Sequence, residues 1–260
     1  PPKNDAINIL KEADLIYISH NHPDHLHPET LQYIKNKKII TPNFKSKSSE
    51  KMLSAIGCTK IEVLNFQDVF EIKSKNIFFT IFKSGDFRDD SGLYIKSGKF
   101  SILLAVDSRS LNGGNLPKNT TVFMSSFAAG ATGFPLCFLN YSENEKKKIK
   151  KTTKIAKLLE IEMMLKKLNS KFFIPYAGFF SESANRDKYI KRKNFKNSID
   201  DVKKRLSKTV TKVNVCDPIN FDEHIFRGNK LIEKKYVKKE KLYKVNQNYI
   251  SSYIRFTKKT

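Results

Sequence analysis

The sequence predicts an α/β protein, and three observations support this prediction. Strand-like and helix-like patterns alternate through residues 5–57, which is the rhythm of α/β folds. Successive strand-like runs follow between residues 61 and 106 and indicate a further layer of sheet. Residues of metal-ligand type come directly after two of the predicted strands, where sheets of this class commonly hold their chemistry.

The alternating part begins with an amphipathic helix over about residues 5–13 and a buried strand over residues 15–18. A second helix opens at Pro28, because proline fits the first helical position. A short strand over residues 38–41 follows, and then a helix that ends at Gly57, since glycine suits a left-handed helix terminus.

The next strands are expected to pair mostly as hairpins, because only turns separate them. These strands are residues 61–64, 69–72, 77–82, 93–95 and 101–106. A capping box of Ser142 and Glu145 then predicts the longest helix, to about residue 169. Shorter elements follow at residues 172–174, 198–207 and 210–215. We expect one domain over residues 1–215 and a Lys-rich extension over residues 216–260.

Composition limits the classes of function. The 260 residues are 39% hydrophobic and 29% charged, which is typical of a globular protein. The net charge is +23, but the lysines are spread through helices and loops, so nucleic acid is not the expected partner. Cys58, Cys137 and Cys216 are far apart and predict neither a disulfide nor a cysteine zinc site. No signal peptide and no membrane-length apolar run are visible, and a cytoplasmic protein is expected.

The histidine-rich loop after the first strand is the strongest functional signal. His20, His22, Asp24 and His25 form an H-x-H-x-D-H pattern, which holds three of the five histidines in the chain. In extended chain His20 and His22 project to the same side and can hold one ion, and the turn at Pro23 brings Asp24 and His25 to a second position. Imidazole and carboxylate together suit zinc or iron, so one or two divalent ions are predicted.

Two later segments add candidate site residues. Asp107 ends the apolar run of residues 101–106 and is a candidate for a further metal ligand. Small residues are dense around residues 112–115 and 125–135, where the backbone can approach a ligand closely and its N–H groups can bind an anion. A surface loop with no ligand would have the same composition.

Several longer blocks carry a resemblance to a known family. Together with the histidine loop, Asp107 resembles the ligand set of the metallo-β-lactamase fold, an αββα sandwich with its metal centre at the sheet edges. The sequence also resembles the CMP-N-acetylneuraminate hydroxylase family over most of residues 5–205. The blocks that carry this likeness are residues 13–20, 106–117, 127–135, 175–183 and 187–191.

The resemblance implies a site and its partners. It implies metal ligation by the five residues His20, His22, Asp24, His25 and Asp107. Substrate-binding residues are expected at Asn112, Gly113, Gly114, Gly130, Gly133, Tyr176 and Gly178. The substrate would be a nucleotide sugar or another anionic small molecule, and an oxygenase would also need an electron-transfer partner.

The sequence departs from these resemblances in three respects. Residues 85–90 and 176–178 lack the further histidines that the wider fold usually supplies, so His20, His22 and Asp107 would form a two-histidine, one-carboxylate set. The family also carries a Rieske [2Fe–2S] centre, whose Cys2His2 ligand set these residues do not contain. The first strands of the sandwich are also expected to be missing, as in a fragment or a shortened relative.

Three functions remain open from the sequence. The first is the metal-binding part of a CMP-sialic-acid hydroxylase-like monooxygenase. The second is a metal-dependent hydrolase of the lactonase, esterase or phosphodiesterase type, in which the ion lowers the pKa of bound water and Asp24 is the catalytic residue that orients or deprotonates it. The third is a basic module that binds nucleic acid, which salt-sensitive binding would reveal.

Overall fold

The computed structural model describes residues 4–129, 134–177, 188–193, 196–217 and 223–235 of the chain. The chain divides into two units, residues 1–124 and residues 125–260. None of the helices in the described ranges is long and apolar enough to cross a bilayer.

The first unit opens with alternating helices and strands, as predicted. These are α1 (Asn4–Glu12), β1 (Leu15–Tyr17), α2 (Pro28–Gln32), β2 (Lys38–Pro42), α3 (Ser48–Ile56) and β3 (Ile61–Leu64). The three strands form a parallel sheet in the order β1-β2-β3. The turn at Pro28 begins α2, and Gly57 ends α3 in the left-handed conformation with φ 88°.

The remaining strands of this unit form a second sheet. They are β4 (Val69–Ile72), β5 (Ile77–Lys83), β6 (Ser91–Ser97), β7 (Phe100–Leu104) and β8 (Val122–Ser125). The strands from β4 to β7 pair as antiparallel neighbours, and β8 lies parallel to β7. The hairpin prediction is therefore confirmed for β4 to β7 and wrong for β3, which pairs in parallel with β2 because α3 connects the two strands.

The side chains of β1 show that the two sheets pack face to face. Ile16 packs with the helix-side cluster that includes Ile39 and Leu53. Leu15 and Tyr17, on the opposite face of the same strand, pack against a cluster in the second sheet that includes Phe79. Alternate residues of a strand face opposite sides, so β1 lies between a helical layer and a second sheet. The predicted α/β class is confirmed, and this unit has the helix–sheet–sheet part of the predicted αββα arrangement.

The core under α3 offers a test of this packing. Leu53 is completely buried, whereas its neighbour Met52 on the same helix is 38% exposed. Leu53→Ala should lower the free energy of unfolding by about 2–5 kcal/mol because it leaves a cavity. Met52→Ala should change it by less than about 0.5 kcal/mol. Urea denaturation of both variants measures the difference, and equal effects would contradict the packing described.

The second unit contains the long helix and several short elements. They are α4 (Glu143–Leu168), β9 (Phe172–Pro175), α5 (Lys188–Lys193), α6 (Ile199–Thr209), β10 (Asn214–Val215), β11 (Glu223–Arg227) and β12 (Lys230–Lys235). β9 and β10 are parallel, and β11 and β12 form an antiparallel hairpin. Helix α4 starts with the predicted capping box of Ser142 and Glu145, and Glu162 ties it to α6 through an ion pair with Arg205.

Candidate metal centre

The histidine loop is held by buried residues at both of its ends. Ile18 continues the edge of β1 by donating its N–H to the carbonyl of Ile40, at 3.0 Å. After the loop, the N–H groups of His25 and Leu26 both bond to the carbonyl of His22, at 2.9 and 2.7 Å. Ile18 and Leu26 are 5% and 2% exposed and belong to the core under the helices. The loop therefore has a fixed start and a tight, anchored turn.

The first group of possible ligands is His20, His22 and Asp107. His20 Nε2 lies 2.7 Å from His22 Nδ1. One nitrogen or carboxylate oxygen from each of the three residues lies within 4.8 Å of the others. His20 is 1% exposed, whereas His22 is exposed. The group is therefore anchored in the protein on one side and open to an incoming ion on the other.

The second group is Asp24, His25 and Asp107, and it shares Asp107 with the first. His25 Nε2 lies 3.2 Å from Asp107 Oδ2 and 3.5 Å from Asp24 Oδ2. The ligand atoms of this group also lie within 4.8 Å of one another. One carboxylate thus belongs to two adjacent ligand groups.

Asp107 is placed by the end of β7 and by an arginine from another loop. Val106, just before it, has a φ of 54°, a conformation that costs a β-branched residue roughly 1–3 kcal/mol. The Arg88 guanidinium donates to the backbone carbonyl of Asp107 at 3.1 Å and pairs with Asp86 at 2.7 Å. The surrounding contacts therefore stabilise a strained backbone at a residue of the candidate site.

The loop of residues 84–90 lies against the segment that follows Asp107. The N–H of Gly85 donates to the carbonyl of Arg109 at 2.8 Å. A Cβ at Gly85 would lie 2.5 Å from the carbonyl oxygen of Ser110, so only glycine permits this approach. The contact brings Arg88 and Asp90 to the candidate site.

Asp90 is a buried residue of the site that sequence reasoning did not single out. Its side chain is 1% exposed, and its Oδ1 lies 3.3 Å from Nδ1 of His20. The same oxygen accepts hydrogen bonds from the N–H of Ser91 at 2.7 Å and the hydroxyl of Ser108 at 3.1 Å. In the sequence Asp90 is one of several acidic residues in a loop, and its nearness to a strand start was the only available signal.

The pKa values of His20, which is buried, and His25, which is half-buried, move in opposite directions. Burial, with the nearby His25 and His22, lowers the pKa of His20 to about 4, so its ring is uncharged at neutral pH. Burial also acts to lower the pKa of His25, but the hydrogen bond and charge of Asp107, aided by Asp24, raise it overall. The same contact lowers the pKa of its partner, because the hydrogen bond from His25 stabilises the ionised form of Asp107.

This donor set fits a divalent cation. A neutral His20 offers a free lone pair, and an ionised Asp107 offers oxygen to both groups. Imidazole nitrogen combined with carboxylate oxygen suits zinc and non-haem iron. The two groups that share Asp107 are therefore the residues that could hold a divalent ion.

The predicted substrate-binding residues divide between described and undescribed parts of the chain. Asn112, Gly113 and Gly114 lie in a 3₁₀ turn (Leu111–Gly114) five residues after Asp107, and all three have positive φ angles. Tyr176 is half-buried after β9, and its N–H donates to the carbonyl of Ser125 at 3.1 Å. The remaining three, Gly130, Gly133 and Gly178, lie outside the described residues.

Comparison with known proteins finds several whose sequences are similar to that of this chain. No protein-family profile matches the chain. The cytidine monophosphate-N-acetylneuraminic acid hydroxylase of Danio rerio is 36% identical over 206 residues, which are 76% of this chain and 34% of that protein. The hydroxylase of Xenopus laevis is 35% identical over 75% of this chain and 34% of its own length. The chain thus spans about a third of the curated relatives that it matches.

One solved structure has a fold similar to that of this chain. The diiron β-hydroxylase CmlA of Streptomyces venezuelae superposes with a TM-score of 0.52 and 15% sequence identity, over 80% of this chain and 44% of that one. At this level of identity the similarity concerns the fold alone. Over 76% of its length the chain is therefore related to the cytidine monophosphate-N-acetylneuraminic acid hydroxylases, and its fold is similar to that of CmlA.

Proposed function

We propose that this chain is the metal-binding and substrate-binding part of a monooxygenase that acts on CMP-N-acetylneuraminate. One observation carries the proposal: two adjacent ligand groups share Asp107 in a chain that is related to hydroxylases of this substrate. The fold is compatible with a diiron centre, since CmlA, a diiron β-hydroxylase, has a similar fold. Iron is therefore the metal that we propose, with His20, His22, Asp24, His25 and Asp107 as its ligands.

The residues of the chain would hold the ions and attract the substrate. A bound iron centre supplies the redox chemistry that hydroxylation needs. CMP-N-acetylneuraminate is an anion, and the net charge of +23 would raise its concentration near the protein. We propose that the turn at Asn112, Gly113 and Gly114 contacts this anion, because glycines at positive φ let a ligand approach the backbone closely.

The electrons for this reaction would come from a separate carrier or from a segment outside these 260 residues. Cys58, Cys137 and Cys216 are isolated from one another in the sequence, and all three are free thiols. A Rieske centre needs two cysteines and two histidines on one cluster. The proposed partner is therefore an iron–sulfur protein or domain that passes electrons one at a time.

Binding and hydrolysis assays on the iron-loaded chain separate this function from that of a hydrolase. We expect calorimetry to show binding of CMP-N-acetylneuraminate and weaker binding of free N-acetylneuraminate. In a separate hydrolysis assay we expect no turnover of a simple ester or lactone. A matched chain with Asn112→Ala loses the side-chain bond to the carbonyl of Asn115 that holds this turn, so it should retain its metal and bind the nucleotide sugar less tightly. Ester or lactone hydrolysis without a reductant, together with no affinity for the nucleotide sugar, would support the hydrolase instead.

A further inference from the structure

We infer that Asp90 is a positioning residue, which fixes the tautomer of His20 so that Nε2 presents its lone pair to the metal. The inference rests on the metal-binding part of the proposed function and does not depend on the substrate. It starts from the two nitrogens of one ring, because His20 Nε2 faces His22 while Nδ1 faces the protein interior.

Two groups contact the inner nitrogen of His20, and only one of them can specify its proton. The hydroxyl of Ser19 lies 2.9 Å from Nδ1, and a hydroxyl can either donate or accept. Ser19 is therefore compatible with both tautomers. The Oδ1 atom of Asp90 lies 3.3 Å from the same nitrogen. Whether Oδ1 donates or accepts a hydrogen bond therefore determines whether Nδ1 carries a proton.

Asp90 Oδ1 must act as an acceptor. Two donors, the N–H of Ser91 and the hydroxyl of Ser108, already direct their protons at this oxygen, which disfavours a proton of its own on Oδ1. Oδ2 lies 3.8 Å from the Arg88 guanidinium and has no hydrogen bond within the described ranges, so it is the oxygen that would carry a proton if the carboxyl group were neutral. Oδ1 therefore accepts whether or not the carboxyl group is ionised.

An acceptor at this distance requires a proton on Nδ1. A bare Nδ1 would direct its lone pair at the lone pairs of Oδ1 across 3.3 Å in a site where both side chains are 1% exposed. A protonated Nδ1 instead places a positive dipole against the oxygen. In a neutral imidazole the other nitrogen then has a free lone pair, and this is Nε2.

The position of Asp90 is itself fixed by groups on separate elements. Ser91, which holds it through its N–H, also donates its hydroxyl to the carbonyl of Ser19 at 2.7 Å and lies 2.6 Å from the hydroxyl of Tyr17. Ser108 holds Asp90 from the segment that carries Asp107. Asp90 thus links the start of the histidine loop to the Asp107 segment, and carboxylate partners of ligating histidines commonly contribute 10- to 100-fold to metal affinity.

The tautomer can be read directly in the unaltered protein. Two-bond ¹H–¹⁵N spectra of the metal-free, ¹⁵N-histidine-labelled chain at pH 7.5 should show His20 with a protonated Nδ1 and an unprotonated Nε2. The spectrum of His20→Gln identifies the signal by its loss. A His20 ring protonated on Nε2 would overturn the inference, and this measurement needs no substitution at Asp90.

Substitutions then separate positioning from a purely structural role. Asp90→Ala should weaken zinc binding by about 10- to 100-fold in competition with a chromophoric chelator and should mix the two tautomers. Asp90→Asn retains an acceptor oxygen and should recover most of the affinity. Ser101→Ala removes the acceptor of the Thr121 N–H near the start of β7, away from His20 and Asp90, so it should lower stability and leave zinc affinity unchanged.

Ser19→Ala tests the rival assignment. It should keep the tautomer of His20, because Asp90 remains in contact with Nδ1. The inference is overturned if Ser19→Ala changes the tautomer and Asp90→Ala does not, or if Asp90→Ala lowers stability with full zinc affinity. Absence of zinc binding by the unaltered chain would count against the proposed function, whereas the tautomer measurement would still report on Asp90.

Discussion

Asp107→Ala should be isolated with almost no bound metal, whereas His22→Ala and Asp24→Ala should each lose mainly one ion. The reason is that Asp107 belongs to both ligand groups, while each of the other two residues belongs to one. Loss of a ligand removes a directed bond to the ion, so a drop in affinity larger than the roughly 10- to 100-fold effect of outer partners is expected. Elemental analysis gives the number of ions per chain in each variant.

His27 provides a matched control for these variants. It lies in the same part of the chain and is exposed, but its ring caps α2 by accepting the N–H of Thr30 at 3.3 Å. It is in neither ligand group. His27→Ala should keep the full metal content and lose about 0.5–2 kcal/mol of stability, as for other lost helix caps. Metal content that survives Asp107→Ala would refute the shared-ligand arrangement.

The histidine loop could be predicted because its information is local. His20, His22, Asp24 and His25 fall within six residues behind an apolar strand, so the chain geometry alone brings them together. Asp107 could be proposed from a distance of more than eighty residues because it also ends a buried strand. β1 and β7 belong to different sheets, and the packing of these sheets brings the two ligand segments together.

Asp90 could not be predicted, because its role depends on tertiary packing. Asp86, Asp89 and Asp90 have the same side chain within five residues of one loop, and the sequence does not distinguish them. The structure does: Asp86 pairs with Arg88, whereas Asp90 is 1% exposed beside His20. The close approach at Gly85, which brings this loop to the site, joins segments that are far apart in sequence.

The pairing of β3 shows a similar limit for the fold. Its sequence, Ile61–Leu64, is a short apolar run like those of the hairpin strands, and it is followed by a turn. Period and composition identify such a run as a strand but do not choose its neighbour. The choice depended on the preceding α3, whose buried Leu53 packs with Ile39 of β2 and fixes a parallel crossover.

Acidification should release the ion bound by Asp24, His25 and Asp107, and the proton that displaces it should be held mainly by His25. The contacts with Asp107 and Asp24 raise the pKa of His25 above its ordinary value of 6.5, although burial opposes them. Below that raised pKa the metal-free site holds a proton on His25, which an ion must displace before it can bind. His20 adds no such competition near neutral pH, because its pKa is about 4.

The sign of the effect follows from proton linkage. A raised pKa stabilises the metal-free fold fully below pH 6.5, and this stabilisation is lost as the pH rises through the pKa of His25. Metal binding has the opposite dependence, so its affinity should fall by about tenfold for each pH unit below that pKa. Calorimetry at pH 6 in two buffers with different ionisation enthalpies should show about one proton released per ion at this group.

A His25→Gln chain separates the ion held by Asp24, His25 and Asp107 from the ion held by His20, His22 and Asp107. Without the titrating ring, the ion that remains with His20, His22 and Asp107 should bind with a weaker dependence on pH than the unaltered chain shows. His27→Ala should reproduce the unaltered pH profile, because His27 is in neither group. A flat affinity between pH 7.5 and 5.5 in the unaltered chain, with no proton released, would show that His25 does not compete with the ion and that its pairing with Asp107 serves the metal-free fold alone.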